Sequence, residues 1–186
     1  MNQEFISLAE TQQTTEAVFD GSLLHVVRDT VTLPNSGTAT REVIRHVGAV
    51  AVVPLTENNE VVIERQFRYP INEVITEIPA GKLDSKKEDR LHAAKRELKE
   101  ETGITADEWM ELGDYLPACA YTDERITLYI ARGLHFGDQK LDEDEFLDVY
   151  AVPFDELIEG IMRGDITDCK TQMAILKAEH KLRECK

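Results

Sequence analysis

Three glutamates, Glu97, Glu100 and Glu101, fall within five positions of the segment GKLDSKKEDRLHAAKRELKEETG, Gly81 to Gly103. Leu91, Ala94 and Leu98 recur there at i, i+3 and i+7, the core-facing stripe of a helix. Glu97 and Glu101 then lie about 40° apart around the axis, at roughly 100° per residue, with Glu100 flanking them. Like charges at i,i+4 weaken a helix by ~0.2–0.5 kcal/mol. The crowding is therefore either a solvated acidic face or a place prepared for a cation. Arg96 can pair with Glu100 at i,i+4, but the face carrying Glu97 and Glu101 has no evident cation of its own. A hard divalent ion such as Mg2+ suits it: Mg2+ takes carboxylate oxygens, keeps several waters and accepts phosphate oxygens at its other positions.

The elements that must hold this helix are legible around it. The first ~45 residues alternate apolar runs, AVFDG, LLHVV and TVTLP, with turn signals at Asp20-Gly21 and LPNSGT, and predict hairpin strands forming an N-terminal extension. HVGAVAVVPL and EVVIERQFRY are β-branched runs separated by Thr56-Glu57-Asn58-Asn59, a strand, turn and strand. EVITEIPAGKL predicts one strand ending at Pro79-Ala80-Gly81, and Gly103 is placed to cap the glutamate helix. Strands follow at Trp109 to Leu116, Arg125 to Leu134 and Phe146 to Phe154. Two helices close the chain: one with Leu157, Ile158 and Ile161 on a face, the other with Met173, Ile175, Leu176 and Leu182. This order predicts a mixed α/β sandwich.

The chain has 186 residues, 42% hydrophobic and 31% charged, enough for one domain with its own core, and no repeat or low-complexity tract. Its net charge of −15, with no lysine or arginine cluster longer than a pair, argues against a nucleic-acid partner. The longest apolar run, Val47 to Leu55, is half the ~18 residues a membrane span requires. The N-terminus lacks a basic and an apolar export region, so the expected location is the cytoplasm. Cys119, Cys169 and Cys185 are few, odd in number and dispersed, which fits a reducing compartment and neither a disulfide framework nor a zinc site.

The helix segment resembles the Nudix box, G-x5-E-x7-R-E-U-x-E-E-x-G-U, where U is a bulky aliphatic residue. Glu88 is followed by seven residues and then by Arg96-Glu97-Leu98-Lys99-Glu100-Glu101-Thr102-Gly103-Ile104, which fills every defined position. The one departure is that six residues rather than five separate Gly81 from Glu88. The extra residue lies in the loop KLDSKK and leaves the helix spacing intact. It bears on Glu88, whose other reading is a capping-box partner of Ser85. Beyond the box the chain resembles the ADP-ribose pyrophosphatase branch over nearly its full length, in REVIRHVGAVAVVPL, VVIERQFRYP, EIPAGKL, YTDERITLYIARGL, LDEDEFLDVYAVPFDEL and GDITDCKT.

The resemblance implies a Nudix-type α/β/α sandwich over residues 46–186, an N-terminal strand extension (1–45) that dimerises, and Mg2+ or Mn2+ as cofactor. It makes Glu97 and Glu101 the principal metal ligands, Glu100 a further ligand or partner of a metal-bound water, and the Ala80 carbonyl another ligand. Arg96 becomes the ion pair that orients a glutamate. Arg68, on the same strand face as Gln66, is the phosphate contact, with Arg65 on the other face. Arg41 and Glu42 match positions that hold the nucleotide end, and Pro117 a proline of the substrate loop; a solvated pair and a plain turn proline are the alternatives. In the acidic loop Asp142 to Glu145, Glu143 is the general base and Glu145 a ligand, an assignment that can be exchanged between the two. The implied reaction is hydrolysis of ADP-ribose to AMP and ribose 5-phosphate. Its rivals are another nucleoside diphosphate sugar, such as GDP-mannose, and a domain that only senses a nucleotide metabolite.

Overall fold

Strand β4 (Ala49–Pro54) is buried at every position, as a central strand covered on both faces must be. Alternation along it feeds two cores: Ala49, Ala51 and Val53 enter one, Val50 and Val52 the other. The computed structural model describes residues 7–141, 143 and 145–184. Around β4 the element order is β1 (Thr11–Asp20), β2 (His25–Thr32), β3 (Thr38–Arg45), β4, β5 (Glu60–Arg68), β6 (Glu73–Glu77), β7 (Ala80–Lys82), α1 (Arg90–Thr102), β8 (Thr105–Tyr115), β9 (Ile126–His135), β10 (Leu147–Pro153), α2 (Phe154–Arg163) and α3 (Cys169–Glu184).

The chain divides into two compact units, residues up to 46 with 118–124, and residues 47–117 with 125–186. The larger unit holds a four-stranded sheet in the order β7-β4-β9-β8, in which β4 and β9 run parallel and the outer pairs antiparallel. Its second sheet is antiparallel, β10-β5-β6. On one side α1 packs Ala93, Ala94 and Leu98 against Val50, Val52, Val62 and Tyr129. On the other, α2 and α3 pack Phe154, Leu157, Ile161, Ala174 and Ile175 against Ala51, Val53, Ile63 and Leu128. This is the predicted α/β/α sandwich with a mixed sheet. In the smaller unit β1-β2-β3 form an antiparallel sheet. Residues 118–124 join it where the Ile44 N–H donates to the Tyr121 carbonyl at 2.8 Å and the His46 N–H to the Asp123 carboxylate at 2.7 Å. Among the described residues no helix is long and apolar enough to cross a membrane.

The structure revises four details. LLHVV and TVTLP are not separate strands but overlap one, β2, and the third strand of that sheet is TATREVIR, too polar to be noticed by its hydrophobicity. EVITEIPAGKL does not run on as one strand. It breaks at Ile78-Pro79, with β6 in one sheet and β7 in the other, because proline cannot donate to a ladder. Phe154 begins α2 instead of ending β10. In α3 the buried face is Thr171, Ala174, Ile175 and Ala178, while Met173 and Leu176 are exposed. Thr171, Ala174 and Ala178 make that face mostly small, beside the larger Ile175.

Candidate active site

Helix α1 starts at Asp89, whose side chain accepts the His92 N–H at 2.8 Å, and ends at Gly103 in the left-handed region, φ 73°. A Cβ at Gly103 would stand 2.3 Å from the Gly137 carbonyl oxygen, so no other residue fits there. The cap lets the chain leave the helix one residue past Thr102 and keeps Glu97, Glu100 and Glu101 on its last turns. Glu88 precedes the helix and is not its capping-box partner. It accepts the Asp84 N–H at 2.6 Å and lies 3.4 Å from the Arg96 Nη2, closing the longer loop onto the helix.

Arg96 is the hub of the box. Its Nη1 donates to Glu97 at 2.8 Å and to Glu100 at 3.2 Å, and its Nη2 reaches the Lys82 carbonyl at 3.2 Å. Burial lowers the guanidinium pKa, but Glu97, Glu88 and Glu100 outweigh it and raise the pKa above its ordinary value. Glu101 faces inward: its Oε2 accepts the Ala80 N–H at 2.9 Å, and only 7% of the residue is exposed. Gly81 lies so close to Glu97 that an added Cβ would stand 2.0 Å from its carboxyl carbon. A side chain at this glycine of the box would displace the Glu97 carboxylate from the position in which Arg96 holds it.

The structure adds a carboxylate that the sequence reading missed. Glu64, on β5, is 1% exposed, and its Oε2 has no hydrogen-bond partner among the described residues. Burial, then Glu77, push its pKa up to about 8. Burial, then Glu64 and Glu97, push Glu101 up to about 10, and burial raises Glu97 although Arg96 opposes it. Glu145 adds negative charge to all three. These carboxylates share a neighbourhood deficient in positive charge, and carboxylates in that condition suit a hard divalent ion. No group of three or more His, Cys, Asp or Glu among the described residues is gathered tightly enough to hold a metal. Glu97 and Glu100 turn to Arg96, and Glu101 turns to the Ala80 amide.

The remaining predicted residues are distributed unevenly. Arg68 gives Nε and Nη2 to the wholly buried Glu77 at 2.6 and 2.7 Å. Lys170 also donates to Glu77 and, at 3.1 Å, to Asp168, which caps α3 by accepting the Thr171 N–H. Arg65 is exposed on β5, opposite Thr76 and Asp148, and Pro117 is half-buried after β8. Glu143 is exposed in a turn and Glu145 is half-buried, while Asp142 and Asp144 lie outside the described residues. Arg41 and Glu42 belong to the smaller unit, where they pair with Glu10 and Arg28. Glu64 could have been found from parity, since it shares the strand face of Val62, which packs beneath α1. Lys170 gave no such signal, because it meets Glu77 across 93 residues of chain. A cleft of about 490 Å³ between Glu88, Arg90, Trp109, Glu111 and Tyr129 lies toward the other end of α1, so volume alone does not locate the acidic centre.

Raised carboxylate pKa values make metal-free stability depend on pH in a definite direction. Between about 4.5 and the folded values of about 8 and about 10, the native state holds protons on Glu64 and Glu101 that the unfolded chain has released. Stability therefore falls as pH rises through that window. The melting temperature in chelator is expected to decline steadily from pH 5.5 to 8.5, and a level or rising trend would refute the burial of these charges. Saturating Mg2+ is expected to flatten the decline, because metal replaces the protons.

The sequence matches the NUDIX domain family over residues 45–169. It is 42% identical over 163 residues to the methanol dehydrogenase activator of Bacillus methanolicus, covering 87% of this chain and 88% of that one. It is 36% identical over 171 residues to the ADP-ribose pyrophosphatase of Bacillus subtilis (strain 168), covering 91% and 92%. In three dimensions it superposes on a crystal structure of an ADP compounds hydrolase with a TM-score of 0.85, over 96% of this chain and 97% of the other, at 23% identity. With its box arginine, glycine and glutamates in mutual contact, the chain belongs to the Nudix hydrolase family as a pyrophosphohydrolase of the ADP-ribose pyrophosphatase-like branch.

Proposed function

We propose that this enzyme hydrolyses the diphosphate of ADP-ribose, giving AMP and ribose 5-phosphate, with Mg2+ or Mn2+ bound by Glu97, Glu100, Glu101, Glu145 and the Ala80 carbonyl. The observation that carries the reading is the set of buried carboxylates without matching positive charge, in a chain 36% identical to an ADP-ribose pyrophosphatase over nine-tenths of both lengths. A bound divalent ion supplies positive charge to the diphosphate and lowers the pKa of a water. The protein's own part is positioning. Arg96 fixes Glu97 and Glu100, and the Ala80 N–H fixes Glu101. Arg68, with Arg65 nearby on the same strand, takes a phosphate. Glu143 removes the proton from the attacking water, and Glu145 exchanges that role with it if the loop is set differently. Arg41, Glu42 and Pro117 hold the nucleotide end. The exposed Val18 and Phe19 of β1 favour a homodimer formed through the N-terminal strands.

The test is product chromatography after incubation with ADP-ribose and, separately, GDP-mannose, with and without Mg2+. AMP and ribose 5-phosphate from ADP-ribose alone, and only with metal, is the expected result. Turnover of GDP-mannose instead would move the assignment to that sugar, and turnover of neither would overturn the reading. The similarity to a methanol dehydrogenase activator favours a second reading, in which the enzyme alters the activity of a dehydrogenase. A purified methanol dehydrogenase whose rate is unchanged by the chain would remove it.

A further inference from the structure

We infer that Glu64, which lies outside the box and on a different element, is a ligand of the divalent ion. The inference rests on the metal-dependent reading above and adds a residue to it. Glu64 is almost fully buried, and its Oε2 is one of the few buried side-chain oxygens with no partner among the described residues. Its neighbours are accounted for differently. Its cross-strand partner, Glu77, is matched by Arg68 and Lys170. Glu97 is matched by Arg96, and Glu101 by the Ala80 amide. Among the described residues, Glu64 alone in this group receives no donor.

A buried carboxylate oxygen without a donor is costly, by about 1–3 kcal/mol for the unmade hydrogen bond and more for a charge. Such a group persists where something else satisfies it. The candidates are a cation or a donor from a ligand. Strand parity turns Glu64 to the α1 side of the sheet, where Val62 packs and the box glutamates stand, so the satisfying group is the ion those glutamates take. Carboxylate oxygen is the donor such an ion prefers. The geometry also gives β5 a purpose in the site: Glu64 contributes an oxygen from the sheet while Glu97 and Glu101 contribute theirs from the helix.

The test uses Mn2+ alone, without substrate, on the full chain. Mn2+ affinity by titration calorimetry, and the number of waters on bound Mn2+ by pulsed electron paramagnetic resonance, are compared for the parent chain, Glu64→Gln, Glu64→Asp and Glu101→Gln. Glu64→Gln is expected to bind Mn2+ at least tenfold more weakly and to gain one water on the ion, with an unchanged circular dichroism spectrum. Glu64→Asp keeps the charge one carbon further away and is expected to bind more weakly too, which preserves the test if the glutamine variant does not fold. Weaker binding with an unchanged water count would show that Glu64 acts through its charge only and would overturn the assignment. Unchanged binding in Glu64→Gln, with loss in Glu101→Gln, would overturn it while leaving the metal reading standing. A parent chain that binds no Mn2+ would overturn both.

Discussion

Glu101→Gln is expected to lower metal-dependent turnover by at least about 10²-fold, the scale on which one preorganised electrostatic contact contributes to a transition state. The same substitution is expected to leave the metal-free protein as stable as the parent at neutral pH, or more so. Both expectations come from the same burial. Glu101 is nearly inaccessible, and the charges of Glu64 and Glu97 add to the cost of ionising it. Glutamine keeps the shape, and its carbonyl oxygen can still accept the Ala80 N–H. It removes the charge that burial penalises. Rate constants with Mg2+ and melting curves in chelator separate a functional loss from a folding defect. A variant that retains activity within a factor of three would sink the assignment of Glu101 as a ligand. A variant that is inactive but melts much lower would show that the carboxylate is structural. A further consequence is that the decline of metal-free stability between pH 5.5 and 8.5 becomes shallower in this variant, since one of the two groups responsible is gone.

Much of this site was legible because its chemistry is local. The spacing of Arg96, Glu97, Glu100 and Glu101 is a property of one helix, and a helix turns a spacing into an arrangement without help from the rest of the fold. Gly103 was legible for a similar reason, because a helix that stops there needs a residue able to adopt positive φ. What remained hidden was non-local. EVITEIPAGKL carries no mark showing that its two halves belong to different sheets beyond the proline between them. Polarity concealed β3, where Thr38, Thr40, Arg41, Glu42 and Arg45 leave a strand with no fully buried position. Lys170 and Glu64 are single charged residues whose meaning depends on partners from other elements. Glu64 in particular reads as an interruption of an apolar run until the strand's two faces are told apart.

Glu77→Ala is expected to cost about 3 kcal/mol of stability, the low end of the range for breaking a buried ion pair. The low end applies because the Arg68 side chain is 42% exposed and can recover water once its partner is gone. Lys170 cannot recover so easily, being mostly enclosed, and among the described residues keeps only Asp168. Burial alone would push the Glu77 carboxyl up. The hydrogen bonds and charges of Arg68 and Lys170 outweigh it and hold the group below its ordinary range. Its contribution is therefore present above the unfolded value of about 4.5 and is lost as pH falls through the lower folded value. Urea denaturation at pH 7 checks the magnitude: with a slope of ~1–3 kcal/mol per molar, the midpoint is expected to drop by about 1 M or more. A shift below a third of that would mean the two cations are satisfied without Glu77. Glu77→Gln is expected to fall between the two, since it fills the space but presents an amide to two donors. The comparison also bears on how the strand pair divides its labour. Glu77 and Glu64 face each other across β6 and β5, yet among the described residues Arg68 and Lys170 hydrogen-bond to Glu77 and neither does so to Glu64. Removing Glu77 releases Arg68 and Lys170 toward Glu64. A Glu77→Ala chain that folds is thus expected to bind Mn2+ less well than the parent, although Glu77 itself is no ligand, because its two cations then compete for the oxygen that the ion requires.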